Sequence, residues 1–275
     1  MGLILRLTPL GALGGVIAAG TAGLLAGALL AGGVGSIGGA CVGGTTSAAP
    51  LETRSGPFSG PAASVTLDFT CTDLSVGRQD GGGWSVAADF SNDRGPRLDA
   101  SPDRLSLRSP SGTFFFGTQT RRMVDLTLPT EQRLAVSLTL NASTAELDLG
   151  PGDLASLSAT FNASDASVDL TEASASGGIS LTLNASSGEL RMPDSSLAAN
   201  VTLNASSLEL CSAPETGLQI RYSDTLSSAN LEEAGLTRSG NVWRTAGYEA
   251  ASVRHDLGIS ANVSSLRVER TGGCP

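Results

Sequence analysis

Four copies of one short phrase, set about twenty residues apart, constrain this 275-residue chain more than anything else in it. Residues 138–143 and 181–186 read Leu-Thr-Leu-Asn-Ala-Ser, 201–206 begin with Val instead, and 159–164 read Ala-Thr-Phe-Asn-Ala-Ser. The anchor asparagines Asn141, Asn162, Asn184 and Asn204 are separated by 21, 22 and 20 residues. A near-constant period of this length is the mark of stacked repeats. Within a repeat, large apolar and polar residues alternate, as in Leu181-Thr182-Leu183-Asn184, which is the period of a half-buried strand. Ser186-Ser187-Gly188 breaks the run, Glu189-Leu190-Arg191-Met192 resumes it, and Pro193-Asp194 breaks it again. One repeat is therefore strand, corner, strand, corner, with turn-forming residues at the breaks.

A lone repeat buries too little apolar surface to offset the entropy of ordering it, so the copies must stack. A sandwich of antiparallel hairpins could use the same alternation, but its strands need not copy their neighbours, whereas each layer of a solenoid lies on its near-copy. The expected fold is all-β, a single-domain β-solenoid of strand-corner-strand repeats. The recurring Asn, including Asn262 in a late copy, suits a strand end that enters the left-handed region or an amide ladder between layers. The same asparagines, with Asn200, form glycosylation sequons. The sequons follow the repeat, which a structural requirement explains and a glycan requirement does not.

No charged residue occurs between Thr8 and Leu51. The apolar run from about Leu10 to Val42 is long enough to cross a bilayer, so residues 1–46 read as a membrane anchor. Its small-xxx-small pairs, such as Gly23/Gly27, fit helix packing in lipid or simply a Gly-rich composition. One span, a hairpin of two short spans and a cleaved signal peptide all fit the run. With a single span, Arg6 places the N-terminus inside and the body outside; a hairpin reverses this. Cys41 only weakly matches a lipoprotein site. Residues 47–62 read as a Gly/Ser/Pro linker and 63–275 as the solenoid, with an insertion near 232–254 that carries Trp243 and Tyr248.

The formal charge is −9 and every basic residue is Arg, which argues against nucleic acid and anionic lipid surfaces as partners. The four cysteines have no C-x-x-C spacing, so zinc is not expected. An exported body would permit a disulfide among Cys71, Cys211 and Cys274, with the pairing open and free buried thiols equally compatible. His255 is the sole histidine. A His-rich metal site is excluded, and a triad on His255 lacks a Gly-x-Ser-x-Gly elbow; an exposed strand position is the plainer reading. Asp148, Asp153, Asp165 and Asp169 match no calcium loop and read as solvated strand faces. A carboxylate glycosidase on a β-helix stays a remote alternative, because few aromatics are available to line a sugar groove. No catalytic residue, cofactor or metal is assigned. Phe114-Phe115-Phe116 with Arg121-Arg122 is the one unusual cluster, a contact patch or a core cap.

Several segments resemble the bacterial toastrack domain, the putative-adhesin family found in LiaF-type cell-envelope stress proteins. They are Val65-x-Leu67-Asp68-Phe69, Asp73-Leu74-Ser75-Val76-Gly77, Gly240-Asn241-Val242-Trp243, Gly247-Tyr248 and Asn262-Val263-Ser264-Ser265-Leu266-Arg267-Val268. The resemblance spans about residues 63–270. The chain departs from it at Ser264, where Gly is common, and at Thr70-Cys71-Thr72, where a Gly-rich corner is common. It implies a membrane-proximal β-solenoid acting by protein contact, with no catalytic residues to transfer. Two functions follow: a membrane-tethered interaction or scaffold module in envelope stress sensing, or a surface adhesin or structural envelope protein. Both predict a cell-membrane location and a protein partner.

Overall fold

In the repeats the alternation of apolar and polar residues becomes the alternation of buried and exposed side chains. Leu134, Leu138, Leu140, Leu154, Leu183 and Leu203 are all at most 2% exposed, while the residues between them face outward. The computed structural model describes residues 41–42, 51–90, 95–110 and 119–270, and of 42, 119 and 120 only the backbone. The apolar run read as the anchor therefore lies outside the described residues up to Ala40, as do Phe114, Phe115, Phe116 and Cys274. Among the described residues no helix is long and apolar enough to cross a membrane.

The described chain is all-β, and its strands fall mainly into a broad sheet of twelve and a narrow sheet of ten. Each repeat gives its first strand to the broad sheet and its second to the narrow one. Arg133–Asn141, Gly152–Asn162, Ile179–Asn184 and Leu197–Asn204 lie side by side in the broad sheet, parallel and in register. Thr144–Asp148, Asp165–Asp169, Ser187–Arg191 and Ser207–Cys211 do the same in the narrow sheet. The inward side chains of both sheets form one continuous apolar core. Parallel sheets bury backbone on both edges of each strand, so each layer is satisfied only by its neighbours.

The phrase Leu-Asn-Ala-Ser has a separate task for each residue. Ala142, Ala163, Ala185 and Ala205 sit in the left-handed region with φ between 48° and 50°, turning the chain from one sheet to the other. The left-handed residue is thus the Ala, not the Asn that the sequence suggested. Each Ala N–H donates to the Asn carbonyl of the next layer, as in Ala163 to Asn184 at 2.9 Å, so pairing continues through the corner. The Asn side chains stack as an amide ladder. Asn162 Nδ2 donates to Asn141 Oδ1 at 2.9 Å, Asn184 to Asn162 and Asn204 to Asn184 at 2.8 Å, and Asn262 to Asn204 at 3.0 Å. The Ser turns inward: Ser143, Ser164, Ser186 and Ser206 are buried, and each hydroxyl accepts the backbone N–H of the Ser or Thr one layer back.

Layer order departs from chain order at both ends. Gly217–Thr225 lies outside Arg254–Asn262, which inserts between it and Leu197–Asn204. Gly217–Thr225 is therefore the terminal layer of the repeat stack, although Arg254–Asn262 follows it in the chain. At the other end Arg104–Arg108 and Arg122–Pro129 stack beneath Ala62–Thr70 and Thr72–Gln79, although they follow them in the chain. Antiparallel strands then cover the ends: Gly83–Ala88 with Glu52–Pro57 on the narrow sheet, Arg97–Ser101 and the hairpin Leu236–Ser239/Val242–Thr245 on the broad one. Glu52–Pro57 belongs to the stretch read as a linker; it is a paired strand. Trp243 of the insertion packs against the core, and Tyr248 is buried.

Cys71 takes the left-handed corner position of its layer (φ 54°) and is bonded to Cys41. The partner of Cys71 is thus the cysteine that the sequence placed in the anchor. Cys211 is disulfide-bonded as well.

Candidate contact surfaces

Outward positions of the two sheets differ in chemistry although the same repeats supply them. On the narrow sheet, fifteen register-matched positions lie on Thr144–Asp148, Asp165–Asp169, Ser187–Arg191, Ser207–Cys211 and Ser265–Glu269. Nine are charged: Glu146, Asp148, Asp165, Asp169, Glu189, Arg191, Glu209, Arg267 and Glu269. A groove of about 770 Å³ runs across these strands and continues onto Asp73, Ser75, Met123 and Asp125. Its wall holds six carboxylates (Asp73, Asp125, Glu146, Asp165, Glu189, Glu209) and one guanidinium, Arg267.

Partners fix several of these groups. Arg121 Nη1 donates to Asp73 Oδ1 at 3.0 Å, and Thr144 Oγ1 bonds the same oxygen. Of the cluster singled out in the sequence, Arg121 thus stands at the groove rim, while Arg122 continues the strand by donating its N–H to the Cys71 carbonyl at 3.1 Å. Arg191 Nε donates to Glu189 Oε1 at 2.8 Å, a bond that raises the Arg191 pKa above its ordinary value. Asp125 and Glu146 project from the surface. Arg267 also faces Glu209 at 3.9 Å, so, among the described residues, the unpaired negative charge of the groove lies on Asp125, Glu146 and Asp165.

On the broad sheet the three outward columns nearest the asparagine corner carry no charge, although Arg133, Asp153, Arg254 and Asp256 stand further back on the same strands. Ser137, Ser158, Ser180, Asn200 and Gly258 form one column. Thr139, Thr160, Thr182, Thr202 and Ser260 form the second, and the asparagine ladder from Asn141 to Asn262 the third. Asp68 and Arg221, one layer beyond on either side, bound the array.

The other residues weighed in the sequence take structural places. His255 is 1% exposed, not on the surface, and its strand position lies beside Leu197 and Leu218. Burial holds its pKa down at about 4, against the help of a bond to the Pro193 backbone, so it is neutral at pH 7. Asp148 and Asp169 accept the N–H of Gly150 (3.3 Å) and Thr171 (2.8 Å), closing the second corner of their layers. Asp153 pairs with Arg133 at 3.4 Å. No three His, Cys, Asp or Glu side chains converge as a metal site among the described residues. The Ser ladder and the charge contrast between sheets were missed in sequence, although the buried Ser two places after each Asn was there to be read.

No family's sequence model matches the chain, and neither does any curated protein. Solved structures do. A putative cell adhesion protein from Clostridium sporogenes aligns with 80% of this chain and 100% of its own, at a TM-score of 0.51 and 12% identity. Putative adhesins from Parabacteroides distasonis (TM-score 0.31, 11% identity, 81% and 98% covered) and Bacteroides fragilis (0.35, 9%, 80% and 97%) match more distantly. At such identities the likeness is one of fold alone. The chain shares its fold with the clostridial protein.

Proposed function

We propose that this chain is an adhesin-type contact module: a two-sheet β-solenoid of toastrack type, exported and held at the cell membrane by its N-terminal apolar run. The acidic groove of the narrow sheet is its ligand cleft, and an extended segment of a partner protein rich in Arg or Lys is the ligand. The observation that carries this is the groove itself, which crosses successive layers with six carboxylates, three of them (Asp125, Glu146, Asp165) without an arginine partner among the described residues. Such a cleft concentrates cationic partners and speeds their encounter, an effect that salt weakens. Stacked, mutually bonded layers give it the stiffness a contact surface needs. An adhesin is preferred to an envelope-stress regulator because the clostridial protein of the same fold is described as a putative cell adhesion protein.

The test is fluorescence anisotropy of a labelled deca-arginine peptide with the full-length protein in detergent. Binding should fall steeply with sodium chloride and weaken about tenfold or more in Glu146→Gln/Glu189→Gln/Glu209→Gln. Equal binding by wild type and the triple variant would refute the groove assignment. A phosphatase reporter fused after Leu51 in place of the body should be active outside the cell; activity only in lysed cells would refute the topology.

A further inference from the structure

We propose that the outer face of the broad sheet binds neutral, unbranched β-linked polysaccharide, with the glycan chain lying along the stacking direction. This is independent of the groove: it uses the opposite sheet and a different class of ligand.

The first ground is the charge contrast. Within the same five layers, nine of fifteen register-matched positions on the narrow sheet are charged, whereas none of the fifteen in the three broad-sheet columns is; Arg133, Asp153, Arg254 and Asp256 lie further back on the same strands, outside those columns. Folding does not demand this, because the narrow sheet tolerates charge at equivalent register. Solubility would favour charge on both faces. A charged side chain does become costly when a neutral ligand covers it and strips its water.

The second ground is chemistry. Ser and Thr hydroxyls and the Asn amide each both donate and accept hydrogen bonds, as sugar hydroxyls do. In the ladder each Asn uses one N–H and one lone pair on its neighbours, which leaves the remaining N–H outward in a fixed orientation. Such preorganised groups need no ordering on binding.

The third ground is spacing. In-register parallel strands repeat a hydroxyl every ~4.8 Å across the sheet, close to the advance of one hexose along an extended chain. Five layers span roughly 19 Å, four such steps, in three columns about 6.6 Å apart.

A second copy of the chain fits less well, since self-association faces are built around apolar and aromatic anchors and the array has none. The lack of an aromatic platform also sets the mode of binding. Each sugar is held weakly, and affinity comes from repetition along the polymer.

Full-length protein in a sugar-free zwitterionic detergent, co-sedimented with amorphous cellulose, tests this. Saturable retention is expected that molar salt leaves intact and that cellotetraose, at equal sugar concentration, does not compete away. Ser180→Arg and Ser180→Glu, on an exposed position, should each weaken retention about tenfold, with Ser158→Arg as the second site, while the groove triple variant should bind as wild type. Background retention of the wild type would overturn the proposal. So would retention abolished by salt, undiminished in charge variants that melt normally, or replaced by a concentration-dependent dimer.

Discussion

Ser186→Ala tests whether the buried serine column holds the corner together. Ser186 is 7% exposed. Its hydroxyl accepts the Ser164 N–H at 3.1 Å, the only bond that N–H makes among the described residues, and can donate to the carbonyl of Asn184 (2.9 Å) or Phe161 (3.0 Å). Alanine keeps the backbone and nearly the volume but strands the amide of Ser164 in a buried position. An orphaned buried donor costs about 1–3 kcal/mol. At roughly 2–4 °C per kcal/mol for a body of this size, the melting temperature should fall by about 2–12 °C. Ser187→Ala, one residue on and exposed, removes a surface hydroxyl that bonds Asp165 and should cost at most about 0.5 kcal/mol. Thermal unfolding by circular dichroism compares the two. Hydrogen exchange adds a local readout, because the Ser164 amide should lose protection in Ser186→Ala. Equal melting of Ser186→Ala and Ser187→Ala, with Ser164 still protected, would refute the ladder as a stabilising element.

Leu203→Asp should abolish cooperative unfolding near the wild-type temperature, because a fully buried carboxylate has no partner there and costs more than about 4 kcal/mol, whereas the outward Thr202→Asp should cost about 1 kcal/mol or less; equal losses would overturn the register. Val263 holds a left-handed conformation (φ 50°) with a branched, 47% exposed side chain, so Val263→Asn should stabilise by about 1 kcal/mol in a denaturant titration. His255, neutral when folded with a pKa of about 4, takes a proton more readily once unfolded, near pH 6.5. Its contribution is intact above pH 6.5 and is lost between pH 6.5 and 4, about 3 kcal/mol in all. His255→Gln should flatten that part of the stability–pH curve, and an unchanged slope would count against the assignment.

The repeats were legible in the sequence because one residue pattern served three demands at once. Alternation fixed the buried face, the twenty-residue period fixed which strands lie together, and the recurring Asn fixed the register of the stack. Asn at a strand end also suggested the left-handed corner, and there the inference slipped by one residue. Asn prefers that conformation more than Ala does, but a residue that turns the corner cannot also reach its counterpart in the next layer. The ladder keeps Asn in the strand, so Ala takes the strained position. At the ends the period no longer applied. Arg254–Asn262 comes last of the broad-sheet strands in the chain, yet Gly217–Thr225 lies beyond it in the stack. The layer of Arg254–Asn262 still carries the outward Asn262 and, past its corner, the inward Ser264 that the repeats require, while Gly217–Thr225 ends in Thr225, pairs with an antiparallel strand on its far side and needs no copy there. The residues that break the repeat therefore mark where it must stop. The same logic separates the two surfaces: repetition forces alignment of whatever faces outward, so the stack that orders the core also sets hydroxyls in columns on one sheet and carboxylates in a groove on the other.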